Sequence, residues 1–139
     1  MKLSKNAYEF EVPRINDIRG NLSFLENESH IPFKIKRAYW IYDVPGGEKR
    51  GGHAYKKLEE VIIALSGSFN LVCNSFQGEK RKFYLNRSYK AVYVPGNTWR
   101  ELKSFSTNAV VLVLASRPFS SNDYIYDISD FFEYNRKTK

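Results

Sequence analysis

The stretch Glu59-Glu60-Val61-Ile62-Ile63-Ala64-Leu65-Ser66-Gly67-Ser68-Phe69-Asn70-Leu71-Val72-Cys73-Asn74 decides how this chain is read. Its first half is a continuous apolar run of strand length, Gly67-Ser68 punctuates it, and Phe69 to Asn74 resumes as a second strand. Ser75 to Glu79 then turns the chain as a hairpin.

The same grammar continues in both directions. Downstream, strands are predicted over Lys82-Phe83-Tyr84-Leu85, Ala91 to Pro95, Thr98 to Leu102 and Ala109 to Ser116, with turns at Asn86-Arg87-Ser88 and Pro95-Gly96-Asn97. Upstream, Lys34 to Val44 predicts a long strand, and shorter ones are expected over Tyr8 to Pro13 and Leu22 to Leu25. Between those two, Asp17-Ile18-Arg19-Gly20-Asn21 is a turn, while Asn27 to His30 is polar loop. Helical signals come only at the end, where Ser121-Asn122-Asp123 caps a turn and Ser129 to Tyr134 makes a short closing helix. Turn signals about every 8 to 12 residues predict an all-β antiparallel sandwich or barrel of jelly-roll type.

Composition agrees with this class. The chain has 139 residues, 42% hydrophobic and 16% aromatic, which excludes disorder and suits one β-rich domain over residues 1–139. No linker, repeat or low-complexity segment divides it. No apolar run approaches the ~20 residues of a membrane span, and Met1 to Asn6 opens no signal peptide, so a cytoplasmic protein without membrane contact is expected. Cys73, the single cysteine, sits in a strand-like run where a buried structural thiol is expected. The net charge of +7 is spread along the chain. Only Lys80-Arg81-Lys82 and Arg136-Lys137-Thr138-Lys139 cluster, and they read as a solvated turn and a solvated end. A small anionic ligand explains the excess better than nucleic acid does.

Chemistry concentrates in Arg50-Gly51-Gly52-His53-Ala54-Tyr55-Lys56-Lys57, a Gly-rich turn leading into a strand. Strand alternation places His53, Tyr55 and Lys57 on one face. An imidazole beside a phenol has the makings of acid and base chemistry. From these residues alone, a barrel histidine beside an ordinary strand aromatic stays open and carries the greater weight. In Lys34 to Val44, alternation puts Arg37 with Ile35, Tyr39 and Ile41. A guanidinium among apolar neighbours points to a ligand phosphate or carboxylate, with a rim salt bridge as the equal alternative.

The collinear order of these signals carries more than any one of them. Asp17-Ile18-Arg19-Gly20, Ile35-Lys36-Arg37, Arg50 to Glu59, Leu65-Ser66-Gly67-Ser68, Val94-Pro95-Gly96-Asn97-Thr98-Trp99, Leu114-Ala115-Ser116 and Asn122-Asp123-Tyr124-Ile125 follow one another along the chain. This pattern, from about Phe10 to Phe131, resembles the cupin family of nucleotide-sugar 3,4-ketoisomerases acting on thymidine-diphosphate-4-keto-6-deoxyglucose. The resemblance implies a small cupin jelly roll and a homodimer that exchanges strands. It also implies a cofactor-independent isomerase that moves a keto group from C4 to C3, in the making of deoxyamino sugars for surface polysaccharide.

The chain departs from the family's His-x-His in one place: His53 keeps the first position and Tyr55 occupies the second. With His53 and His30 its only histidines, no metal site is expected. The roles implied are His53 as base and Tyr55 as relay or acid. Arg19, Arg37 and Arg50 are expected on the sugar hydroxyls or diphosphate, Lys57 among the substrate-binding groups beside Tyr55, and Trp99 and Arg100 in the wall of the site. Glu59 and Glu60 either orient the motif or lie on the surface. A 3,5-epimerase-like enzyme and a catalytically silent nucleotide-sugar-binding cupin remain the alternatives.

Overall fold

The computed structural model describes residues 6–137, so Met1 to Lys5 and the end of the basic tail, Thr138-Lys139, lie outside the described residues. The first half of the chain supplies β1 (Tyr8–Glu11), β2 (Arg14–Ile15), β3 (Leu22–Ser23), β4 (Arg37–Ile41) and β5 (Arg50–Tyr55). Then come β6 (Glu60–Ser66), β7 (Phe69–Ser75), β8 (Lys80–Leu85), β9 (Lys90–Val94), β10 (Thr98–Lys103) and β11 (Val110–Ala115). A 3-10 turn (Ser121–Asp123), β12 (Tyr124–Ile125) and α1 (Ile128–Lys137) close the chain.

The apolar run that opened the sequence becomes β6, the middle strand of a sheet ordered β1-β9-β6-β11-β4. Its Val61, Ile62, Ile63 and Ala64 are all buried, because this sheet is covered on both faces. One face meets the second sheet, β12-β5-β10-β7-β8, across a core that includes Ile62, Phe69, Leu71, Cys73, Val92, Leu102 and Val111. The other face, with Val61, Ile63 and Tyr93, is capped by Val12, Ile31 and Phe33 from the N-terminal third. All pairings are antiparallel, and β2 with β3 forms a separate ribbon. The expected all-β jelly roll with a short C-terminal helix is what the structure contains.

Several boundaries differ from expectation. The long strand foreseen over Lys34 to Val44 contracts to Arg37–Ile41, and Asp43 beyond it takes φ 56°, outside the β region. Lys80-Arg81-Lys82 is no turn; it begins β8, an edge strand whose exposed charges suit a position where further pairing must be discouraged. The turn lies just before it, closed by Gly78 N–H donating to Ser75 at 2.9 Å. The helix starts at Ile128, one residue before the expected Ser129, and runs to Lys137. Asp127 accepts from the Ser129 N–H at 2.8 Å at its start.

Cys73 is buried as expected, and burial pushes its thiol up to about 12. Among the described residues no helix is long and apolar enough to cross a membrane, and no group of three His, Cys, Asp or Glu could hold a metal ion.

Candidate active site

Between the two sheets opens a cleft of about 670 Å³, lined by residues of β4, β5, β10 and the segment around β12. Strand register decides what reaches it. Arg100 on β10 lies directly opposite His53 on β5, and Trp99 opposite Ala54. Neighbours on one strand point to opposite faces, so Trp99 and Arg100 cannot both line the cleft. Arg100 does, while Trp99 packs with Ala54, Ile125 and Phe131 under α1. The expectation that Trp99 forms the wall of the site is therefore corrected.

Arg100 is itself a different kind of residue from the one expected. It is 1% exposed, and its Nε and Nη2 donate to the two oxygens of Glu60 at 2.8 and 3.0 Å. Nη2 also donates to the Tyr39 hydroxyl at 2.9 Å, and Nη1 to the carbonyl of Gly51 at 3.1 Å. Tyr39 in turn donates to Glu60 at 2.7 Å. Burial works against the Arg100 charge, but Glu60 outweighs it and holds the guanidinium above its ordinary range. Arg100 is thus a neutralised floor beneath the cleft. Gly51 is required for this: its φ of 68° is left-handed, and a Cβ there would collide with Arg100 Nη1.

On this floor stand three rings. His53 packs edge-on against Tyr55, with centroids 4.8 Å apart, and lies 5.1 Å from the Tyr124 ring. Tyr55 donates to the Tyr124 hydroxyl at 3.1 Å. The buried Nε2 of His53 has no hydrogen-bond partner. Burial, then the charges of Arg100 and Arg50, push the imidazole down to about 3, so it is neutral at physiological pH. Burial, then the Glu60 carboxylate, pushes the Tyr55 phenol above its ordinary value, so it keeps its proton.

Arg37, Arg50 and Lys49 bring positive charge to the cleft. Arg37 lies over the rings of Tyr39 and Phe119 at 4.6 and 5.5 Å, and its buried Nη1 is unpartnered. With Arg100 occupied by Glu60, Arg37 and Arg50 are the guanidinium groups left to meet an anion there. A site combining an uncharged base, neutral phenols and guanidinium groups suits proton transfer on an anionic substrate.

The cleft brings together His53, Tyr55, Arg37, Arg50 and Arg100 from the residues singled out in the sequence; it leaves out Lys57, Trp99 and Arg19. Strand β5 ends at Tyr55, so alternation no longer governs Lys57, which lines a neighbouring hollow with Lys56 and Arg117. Its backbone N–H and that of Leu58 bind the two oxygens of Asp123, which fixes the turn there. Arg19 is exposed on the loop of the β2–β3 ribbon and paired with Asp17 at 2.8 Å. Glu60 is buried in the network, whereas Glu59 accepts from the Tyr93 hydroxyl at 2.6 Å.

Tyr39 and Tyr124 had no assigned role in the sequence. Tyr39 shares the alternating face of Arg37, a usable signal. Tyr124 is 69 positions from Tyr55, and only the pairing of β12 with β5 joins them.

Comparison with known proteins places this arrangement. The family model described as FdtA: WxcM-like, C-terminal matches residues 5–136. The chain belongs to this family. A TDP-4-oxo-6-deoxy-alpha-D-glucose-3,4-oxoisomerase of Aneurinibacillus thermoaerophilus is 38% identical over 124 residues, 89% of this chain and 88% of that protein. The TDP-quinovose 3,4-ketoisomerase of Campylobacter jejuni is 40% identical, with TM-score 0.87 over 94% of this chain and 99% of its own. A histidine-to-asparagine mutant of a 3,4-ketoisomerase from Thermoanaerobacterium thermosaccharolyticum, solved with TDP-4-keto-6-deoxyglucose, is 32% identical. Its TM-score is 0.90, covering 97% of both chains. The likeness to a Mycobacterium tuberculosis epimerase, at 16% identity and TM-score 0.73 over 86% of this chain and 67% of that one, concerns the fold alone.

Proposed function

We propose that this FdtA/WxcM-like protein is a sugar-nucleotide 3,4-ketoisomerase that moves the keto group of TDP-4-keto-6-deoxyglucose from C4 to C3. The observation that carries it is His53: a neutral imidazole with a buried, unpartnered Nε2, set in a cleft supplied with guanidinium groups. Relatives 32 to 40% identical to this chain are 3,4-ketoisomerases, which points the same way.

The residues divide the work by chemistry. His53 takes the proton on C3, which an uncharged imidazole can do and an imidazolium cannot. A phenol of the cleft wall stands beside it to serve the sugar oxygens. Arg37 and Arg50 hold the diphosphate, since their planar forks match its oxyanions and their charge is not consumed by Glu60. Arg100 sets the floor, and burial, then the charges of Arg100 and Arg50, keep His53 deprotonated. The enzyme acts in the cytoplasm as a homodimer, a state supported by the exposed Ile15, Ile18, Leu22 and Phe24 in and around the β2–β3 ribbon.

The experiment is direct. Purified protein is incubated in heavy water with TDP-4-keto-6-deoxyglucose and followed by NMR, where deuterium uptake at C3 and C4 with appearance of the 3-keto sugar is expected. Uptake at C5 would replace this reading with epimerisation. Binding of TDP with no exchange at any carbon and no 3-keto product would make the protein a silent binding cupin.

A further inference from the structure

Tyr55 and Tyr124 are unequal partners. Tyr55 is 4% exposed, and its hydroxyl is hydrogen-bonded to that of Tyr124 at 3.1 Å. Tyr124 is half-buried, lines the cleft, and donates in none of the hydrogen bonds among the described residues. Its oxygen accepts from Tyr55, the Arg37 guanidinium interacts with it, and its ring lies 5.1 Å from that of His53. The phenol more open to the cleft is therefore Tyr124, and the buried one that braces it is Tyr55.

Resting on the ketoisomerase reading, we propose that Tyr124 is the catalytic acid and base at the sugar oxygens, and that Tyr55 is a positioning residue that acts through it. His53 takes the proton on C3, and the C–H electron pair becomes a C3=C4 double bond. The carbonyl pair at C4 moves onto O4, which takes the Tyr124 proton. The resulting phenolate is stabilised by the Tyr55 hydrogen bond and the Arg37 charge. It then removes the proton from O3, whose O–H pair becomes the C3 carbonyl, while the C3=C4 pair takes up a proton at C4 from the His53 imidazolium. One hydrogen passes from carbon to carbon and one from oxygen to oxygen. Both residues return to their starting states, and no oxidant or reductant is consumed.

This assignment reverses the order of importance that the His53-Ala54-Tyr55 motif suggests. Tyr55 fills the motif position, yet it is too buried and too committed to reach the sugar. Tyr124 sits in front of it.

Wild type, Tyr124→Phe, Tyr55→Phe and the double variant are compared for kcat and KM with TDP-4-keto-6-deoxyglucose. Both substitutions keep the ring and its packing, and titration with TDP checks that the cleft is intact. Tyr124→Phe should lower kcat about 10²- to 10⁴-fold with little change in KM. Tyr55→Phe should lower kcat about 10- to 100-fold with little change in KM, because the phenolate of Tyr124 loses a donor, and should add little further loss in the Tyr124→Phe background. The assignment is overturned if Tyr124→Phe stays within about threefold of wild type, if Tyr55→Phe carries the larger loss, or if the two losses multiply in the double variant. A wild type that turns over no substrate overturns the ketoisomerase reading and this assignment together. Turnover by wild type with an unimpaired Tyr124→Phe overturns the assignment alone.

Discussion

Arg100 and Glu60 hold each other by two hydrogen bonds, at 2.8 and 3.0 Å, with 1% of each side chain exposed. Both charges left water on folding, so each is stable only while the other is present. Replacing Glu60 by alanine leaves a buried guanidinium without a counter-charge. Glu60→Ala should therefore lower the unfolding free energy by about 3–5 kcal/mol, read from denaturant titration. A loss below about 1 kcal/mol, the value of an exposed pair, would show that water reaches Arg100.

Gly51 closes over the same guanidinium. Its φ of 68° disfavours any side chain, and a Cβ would meet Arg100 Nη1. Gly51→Ala should cost about 1–3 kcal/mol for the backbone alone and weaken TDP binding, because Arg100 must shift beneath His53. Gly46, with nothing within 4 Å of a built Cβ, is the control: Gly46→Ala should change neither.

His53 predicts a pH dependence of stability with a definite sign. Its imidazole is held down to about 3 in the folded chain, whereas the unfolded chain titrates near 6.5. Between those values the unfolded state binds more protons, so the contribution is fully present above about pH 6.5 and is lost as pH falls toward 3. His53→Asn should flatten the decline of Tm between about pH 6.5 and 4 while lowering kcat about 10²- to 10⁴-fold. A decline as steep in the variant as in wild type would assign the acid sensitivity to other groups.

Arg37 offers a guanidinium nitrogen with no protein partner, beside Tyr124. Arg37→Lys keeps the charge but loses the fork, and should weaken TDP binding about 10- to 100-fold by calorimetry. Lys57→Ala, in the neighbouring hollow, should leave that affinity unchanged. Equal losses in both variants would mean that net charge alone attracts the nucleotide.

The sequence by itself determined where most strands lie along the chain, the jelly-roll class and the segment that carries His53, because alternation and turn residues are local properties that every neighbour reinforces. It also marked Arg37 as anomalous on an otherwise apolar face. Tertiary structure alone decided which marked residues meet. Trp99 and Arg100 stand side by side in the chain and go to opposite faces; Lys57 leaves the cleft because β5 stops two residues before it. Arg100 changes from a ligand contact to a buried half of an ion pair because β6 places Glu60 beneath it. Tyr124 reaches Tyr55 through a two-residue strand pairing across 69 positions, which no local pattern encodes. Local periodicity fixes which way a side chain points, and only the packing of the two sheets fixes what it finds there.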